Sequence, residues 1–415
     1  MKIFLLTMGC DKNLVNSGLL QGILDKRGVE LTPYIDSADA IVLNTCGFIS
    51  DAVKENINVL TELLKYKKRL IVCGCMAARF KEKIMRDFPE VDCAVNLNEV
   101  ESALLGDSKR RDEFDHELFI NRAKLHNSHI AYILVAEGCD SACAYCAIPS
   151  IKGRYRSRKI NSILEEARIL INGGVKELIL VAQDVAGYGR DISASLPELL
   201  KELANIDGDF WLRIMYAYPQ YITQELLETI ISQPKICNYL DVPVQHVSPN
   251  VLALMGRKAQ NIPKLFNKIS EMGIWARTTV MIGFPGETDE DFALLENFVR
   301  TQKIAVGIFS FSPEEGTPAF NMPQIPANKK RARLKAIEKA QKAAIRARNK
   351  ARLGTVERIL IDKSDEYNGV LGRSCAEAPE VDGIIFLEDY KNIEPERFIN
   401  VRLKEFNGDL YGEVL

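Results

Sequence analysis

The chain has 415 residues, more than one ordinary core accommodates, so two or three domains are expected, one of them large enough to be a barrel. Its 54 Lys and Arg nearly balance 56 Asp and Glu, so overall charge marks neither a nucleic-acid nor a membrane partner, and any such signal must be local. No apolar run approaches the roughly 18 residues of a membrane span, and MKIFLLTMGCDKN turns polar too early for a signal peptide, so the expected location is the cytoplasm, where ten cysteines suit metal or redox chemistry rather than disulfides.

From residue 1 to about 105, apolar runs at 2–6, 40–43 and 70–73 alternate with helical patterns at 16–27, 50–65 and 78–88, which predicts a small α/β sheet domain. The charged stretch SKRRDEFDHELFINRAKLHNSH suits a linker over 106–129. Strand patterns then recur at 130–135, 177–181, 210–215, 239–242, 276–281 and 306–311. Six βα units fall short of the eight in a closed barrel, so 130–325 is expected to form an open partial (β/α)6 barrel with its site at the strands' C-terminal ends. After the proline-rich FNMPQIP, residues 326–354 predict a long basic helix with Leu334, Ile337, Gln341 and Ile345 on its apolar face. Its cations admit either a solvated face or contact with RNA. Five short β-rich runs in 355–415 predict a small antiparallel β-barrel.

EGCDSACAYCAIP spaces Cys139, Cys143 and Cys146 as C-x3-C-x2-C, just past the first barrel strand. Three thiolates on a [4Fe-4S] cube leave one iron open to a cofactor or substrate, whereas four fill it. A zinc site is the alternative, but zinc usually takes four ligands and no nearby His completes this one. The pattern resembles the radical S-adenosylmethionine (SAM) superfamily. The resemblance implies that the open iron chelates SAM, that Tyr145 lies near the adenine, and that an electron cleaves SAM to a 5'-deoxyadenosyl radical. GFPGETDEDF follows a later strand and suits close approach of backbone to a ligand.

Cys10, Cys46 and Cys75 each fall just past a predicted parallel strand, beside Gly9, Gly47 and Gly74. Ligands bind at that edge of an open α/β sheet, so three converging thiolates suit a second cluster, and core packing is the alternative. Cys73 should point into the core, while Cys93, Cys237 and Cys375 stand alone as structural residues. The two triads with a terminal β-barrel resemble the methylthiotransferase family over essentially the whole chain. That resemblance implies a second [4Fe-4S] cluster supplying sulfur, one SAM giving a methyl group and another the radical, and a terminal TRAM-like barrel presenting the substrate.

Two substrate classes occur in such a family: a tRNA adenosine beside the anticodon, and an aspartate of small ribosomal subunit protein number twelve. The tRNA type reads QNVNSYG after the second barrel strand, whereas this chain reads AQDVAGYGRD. That stretch, with YLDVPVQHVSPNVL, FSPEEGTPAF and GRSCAEAPEVDG, resembles the ribosomal-protein type. LVNSGLL at residues 14–20 departs from the family's usual VDSE pattern. Residues 355–415 hold 14 Asp and Glu against 7 Lys and Arg, a net charge of −7, which suits a basic protein substrate better than RNA. Glu377, Glu380 and Asp382 are expected to contribute to that recognition. A non-catalytic iron–sulfur scaffold is the remaining reading, and it predicts no SAM turnover. Gln183, Arg213 and Gln245, at or near strand ends, are candidate SAM contacts. Arg213 equally fits a salt bridge inside the barrel. His246 fits either acid–base chemistry or a structural hydrogen bond. No motif identifies the sulfur donor or the reductant.

Overall fold

A computed structural model describes residues 1–106, 116–122, 129–258, 261–365, 369–387 and 394–415. The N-terminal domain is a parallel sheet of order β2-β1-β3-β4-β5. Its strands are β1 (Lys2–Thr7), β2 (Glu30–Leu31), β3 (Ala40–Thr45), β4 (Arg69–Gly74) and β5 (Cys93–Ala94), with α1 (Asp11–Lys26), α2 (Ser50–Leu64), α3 (Cys75–Asp87) and α4 (Val100–Leu105) between or after them. Every residue of β3 is buried, the mark of a parallel strand covered on both faces. The edge strands β2 and β5 have two residues each, too few to leave a sequence pattern.

Helix α1 starts at Asp11 rather than at residue 16. The stretch DKNLVNSG is polar yet covered, because α1 lies between the N-terminal sheet and the central domain. Thr7 Oγ1 donates to Ser17 Oγ at 2.6 Å and Asn44 Nδ2 donates to the same oxygen at 2.9 Å. Val15 and Leu19, further round the helix, join the core of the central domain. Within the expected linker, α5 (His116–Ile120) packs Leu118 and Phe119 into that same core, and residues 107–115 and 123–128 lie outside the described residues.

The central domain holds β6 (Ile130–Leu134), the short antiparallel pair β7 (Ala136–Glu137) and β8 (Arg156–Ser157), then β9 (Glu177–Val181), β10 (Trp211–Ile214), β11 (Tyr239–Asp241), β12 (Trp275–Ile282) and β13 (Ala305–Ser310). Its helices are α6 (Ile148–Lys152), α7 (Ile160–Asn172), α8 (Leu196–Ala204), α9 (Gln224–Ser232), α10 (Pro249–Leu254), α11 (Ile262–Glu271) and α12 (Asp289–Thr301). The six long strands are parallel, in two ladders, β6-β9-β10 and β11-β12-β13, joined by a bridge between Leu212 and Ile236. They form the open arc that six βα units predict. Leu178, Leu180, Leu212 and Ile214 pack outward against helices, whereas Ile179, Val181, Trp211, Met215 and Tyr239 line the inner face.

The chain leaves through α13 (Ala327–Arg352) into β14 (Val356–Asp365), β15 (Gly369–Arg373), β16 (Ile385–Leu387), β17 (Phe398–Phe406) and β18 (Leu410–Val414), a closed barrel of order β14-β15-β16-β18-β17. It is not wholly antiparallel, because β16 and β18 run parallel. Strands that alternate in direction cannot close with an odd number unless one adjacent pair runs the same way. The covered face of α13 also differs from a purely apolar one: Ile337, Ala340 and Ala344 share it with Arg333, Arg348 and Arg352. Arg352 bonds Glu377, Glu357 (2.7 Å) and Ser374 (3.0 Å), tying the helix to the terminal barrel.

Replacing Arg352 by Met should leave the buried Glu377 carboxylate without its nearest cation and lower stability by about 3–5 kcal/mol. The double variant Arg352→Met/Glu377→Leu should recover most of that loss. Denaturant unfolding checks both, and equal losses in the two would show that packing rather than charge is responsible.

Candidate functional site

Glu137 ends β7 and the chain turns at Gly138 into the loop that carries Cys139, Cys143 and Cys146. Backbone bonds from distant elements hold this loop: Cys139 N–H donates to Gly153 O (3.1 Å), Ala144 N–H to Met255 O (2.9 Å), and Ala319 N–H to Ala144 O (2.8 Å). At Gly256 φ is +68°, and an added Cβ would come within 2.6 Å of Ala142 O, so no side chain fits between α10 and the loop. Burial raises the Cys139 thiol and pushes Cys146 up to about 12, and in both cases neighbouring thiols of the triad add to the shift. The three share one short loop, in which Cys146 N–H donates to Cys143 O at 3.0 Å. Buried clustered thiols keep their protons unless a metal displaces them, so this donor set fits an iron cluster.

The second triad follows β1, β3 and β4 at the sheet's C-terminal edge. Gly9 adopts φ +96°, and a Cβ there would lie 2.7 Å from Cys46 Cβ, so glycine is what lets the two cysteine loops meet. Asn13 staples them, donating from Nδ2 to Met8 O (2.9 Å) and Thr45 O (3.0 Å), while Cys75 Sγ donates to its Oδ1 at 3.9 Å. Burial pushes Cys75 up to about 11, with Cys10 and Cys46 adding to the rise and Lys152 opposing it. Lys152 sits on α6, just after Cys146, and pairs with Glu137 at 2.5 Å. Two of the groups that act on Cys75, Lys152 and Glu137, therefore flank the loop of the other triad. Among the described residues no three His, Cys, Asp or Glu side chains converge on a single ion. Each thiolate of a cube takes a different iron, so the three stand wider apart than ligands of one ion.

Arg79 and Glu314 lock the two halves of this face together. They form a buried pair at 3.3 Å, and Arg79 also donates to Gly47 O (2.9 Å) and Glu315 O (2.6 Å). FSPEEGTPAF thus docks the central domain against the N-terminal one. In GFPGETDEDF, Glu287 accepts from Gly283 N–H (2.5 Å) and Phe284 N–H (3.2 Å) and pairs with Arg333 (2.7 Å), which fixes that turn beside Tyr145, whose ring meets Phe284 edge-on at 6.3 Å.

Tyr145 and Gln183 lie where the sequence places them. Tyr145 is partly buried, and burial holds its phenol well above the usual range. Gln183 follows β9 and carries a buried Oε1 with no partner among the described residues, an acceptor available to a ligand. Gln245 is bridged to β12 through Thr279 O and Met281 N–H at φ +68°, a strained backbone at the strand-end edge. Arg213 is not a cofactor contact: its side chain is fully buried on the inner face, bonded to Glu177 (2.5 Å) and Cys375 O (2.8 Å), with Tyr239 beneath it. His246 is structural too. Its Nδ1 accepts from Ser248 N–H at 3.0 Å, and Asp291 and Arg333 are its charged neighbours. Cys73 is buried as expected, and Cys237 lies in the inner core.

Sequence reading missed two residues. Arg257 reaches Tyr145 Oη (3.1 Å), Cys143 Sγ (3.9 Å) and Pro243 O (2.8 Å), and stacks over Tyr218 at 4.1 Å. Asp184, raised to about 6 by burial, accepts from Gly187 N–H (3.2 Å) and Tyr218 N–H (3.1 Å), so AQDVAGYGRD is a staple beside the first triad. No local spacing joins positions so far apart in the chain.

The expected acidic recognition loop is corrected as well. Glu377 is buried against Arg352. Asp382 bonds Arg277 at 2.9 Å and Tyr239 Oη at 2.7 Å, leaving Glu380 exposed. GRSCAEAPEVDG therefore fills the inner face of the barrel, because carboxylates that enter a core must find cations there.

Residues 2–96 match the uncharacterized protein family UPF0004, residues 133–299 the radical SAM superfamily, and residues 353–415 the TRAM domain. A ribosomal protein uS12 methylthiotransferase RimO of Acetivibrio thermocellus is 39% identical over 446 aligned positions, covering 100% of this chain and 98% of that protein. One of Lachnoclostridium phytofermentans is 40% identical over 431 positions, covering 98% of each. Among solved structures, the radical SAM methyltransferase TsrM from Kitasatospora setae superimposes with a TM-score of 0.58 at 13% identity, over 77% of this chain and 74% of that one. The cobalamin-dependent radical enzyme OxsB gives 0.52 at 12%, over 81% and 56%. At such identities the two structures show a shared fold.

His246 generates a pH prediction. Burial lowers it from 6.5 to about 4, so between those values the unfolded chain binds more protons and stability rises with pH. Its contribution is complete above about pH 6.5 and falls by about 3 kcal/mol as pH drops to 4. His246→Asn, which keeps an acceptor for Ser248 N–H, should flatten that loss in denaturant unfolding at pH 4 and 7. An unchanged slope would contradict the assignment.

Proposed function

Because the chain belongs to the family of the RimO-type radical SAM methylthiotransferases, we propose that it attaches a methylthio group to the β-carbon of an aspartate in ribosomal protein uS12. The carrying observation is the adjacency of the triads: α3, which begins at Cys75, packs against α6, which follows Cys146, and Lys152 of α6 pairs with Glu137 just before Cys139. A carbon radical formed at one triad and sulfur held at the other would share one substrate position. The chain is an iron–sulfur, SAM-dependent enzyme. Bound at Cys139, Cys143 and Cys146, a [4Fe-4S] cluster supplies the electron that cleaves SAM, chemistry no side chain provides.

The remaining roles belong to the protein. Tyr145, held by Arg257, offers an aromatic edge for the adenine, and the Gln183 acceptor a polar contact for SAM, with Gln245 at the same strand-end edge. Cys10, Cys46 and Cys75 would hold a second cluster, which would supply the sulfur. The inner core of Ile179, Val181, Trp211 and Met215 keeps water from the reacting radical. No helix among the described residues is long and apolar enough to cross a membrane.

Anaerobic reconstitution should load about eight irons per chain, and a Cys139, Cys143 and Cys146 triple Ala variant about four. The Cys10, Cys46 and Cys75 triple variant should still produce 5'-deoxyadenosine while losing sulfur insertion. Mass spectrometry of uS12 and tRNA from a strain lacking the gene reads the substrate. A tRNA adenosine left unmodified while uS12 keeps its normal mass would replace this proposal with the tRNA reading.

A further inference from the structure

Helix α13 divides its cations into two populations. Arg333, Arg348 and Arg352 are buried and bonded. Arg331, Lys335, Lys339, Lys342, Arg346 and Lys350 are exposed, and among the described residues none makes an ion pair or side-chain hydrogen bond. At 100° per residue these six fall within an arc of about 100°, and they run about 29 Å along the helix. The bonded arginines lie on the far side. Glu338 is the one acid on the exposed stripe, which thus carries most of its charge unbalanced in a chain whose overall net charge is −2.

A face kept merely soluble has no need of this arrangement. Arg331 with Lys335, Lys335 with Lys339, Lys342 with Arg346, and Arg346 with Lys350 are like charges at i,i+4, each opposing helix formation, where an interspersed Glu would favour it. A second feature adjoins the stripe. Glu338, Gln341, Lys342, Ile345 and Arg346 share a cleft with Phe406, Asn407 and Gly408 at the β17–β18 turn, where the partly exposed Phe406 ring, packed on one side against the barrel core, lines the cleft opposite Lys342 and Arg346. Cations that track a backbone beside an aromatic face that accepts a base are what a single-stranded nucleic acid requires. The exposed Glu405 and Asp409 beside the ring oppose any polyanion, so the phosphates are placed along the helix stripe, and it is the ring, from which an acidic protein would gain nothing, that favours RNA.

We propose that the outer stripe of α13 and the Phe406 cleft form a binding surface for the phosphodiester backbone and an unstacked base of RNA. Resting on the uS12 reading, the RNA would be ribosomal, so that the enzyme meets its protein substrate in an RNA-bound setting. The acidic terminal barrel and the basic helix then address different components of one target, a basic protein and its RNA.

The test uses the full-length holoenzyme and a fluorescein-labelled, mixed-sequence RNA of 20 nucleotides, read by anisotropy from 50 to 300 mM KCl. With six phosphate contacts, log K should fall against log[salt] with a slope of about −4. The variant Lys335→Gln/Lys339→Gln/Lys342→Gln/Arg346→Gln, with unchanged circular dichroism and iron content, should bind at least tenfold more weakly with a slope of about −1.5. Phe406→Leu should weaken binding about tenfold without altering the slope, since stacking rather than charge is removed. The fourfold variant should modify free uS12 as the parent does, and small ribosomal subunits more slowly. RNA affinity within twofold of the parent, or equal binding of polyglutamate with the same slope, would overturn the proposal. Should the parent modify no form of uS12, the functional reading fails, while the RNA titration still decides this one.

Discussion

Glu177 has no exposed surface, and it takes two guanidinium groups: Arg213 from the neighbouring strand at 2.5 Å and Arg373 from the terminal barrel at 2.7 Å. A carboxylate in that position tolerates neither the loss of a partner nor a shift of one by much, because the desolvation it suffers is offset only by close pairing. The two cations hold it ionised, below the usual carboxylate range. The same constraint repeats outward. Arg373 also grips Asp362, which receives His129 at 2.7 Å, and Arg277 grips Asp382. The terminal barrel is therefore seated against the starts of the parallel strands and their inner face.

That seating leaves the strands' C-terminal ends to chemistry. Backbone departs there from comfortable values: Tyr216 follows β10 at φ +59° and Gln245 forms the bridge to β12 at φ +68°. Strain of this kind persists where surroundings over-determine it, and here they do, since Asp241 accepts the Tyr216 N–H and the Tyr216 hydroxyl reaches Asp11 beside Cys10. Rigid ion pairs at one end of the barrel and strained, polar turns at the other are two sides of one division of labour.

Much of this was legible because it is local. Cysteine spacings, apolar runs such as AIVLNT and the five terminal β-runs all lie within a few residues, and the structure returns the six barrel strands within one or two residues of where the periodicity places them. What escaped depends on pairing at a distance. Arg257 is functional through Cys143 and Tyr145, more than a hundred residues away. Arg333, Arg348 and Arg352 of α13 read as solvent-facing because charge normally marks the surface, and only their partners in other domains reverse that. GRSCAEAPEVDG was recognisable as a signature, yet its acids face inward. A motif records that residues matter, and their burial decides for what.

The order of the chain adds a consequence for biosynthesis. Polypeptides emerge and begin to fold from the N-terminus. All six triad cysteines precede residue 147, whereas the segment from Arg373 to Asp382 that fills the inner face lies near the end. A nascent chain therefore presents both thiol triads while the inner face of its arc is still uncovered. The stretch that covers that face is made more than 220 residues after the last triad cysteine, so the inner face stays open through an interval of synthesis in which both triads have already emerged.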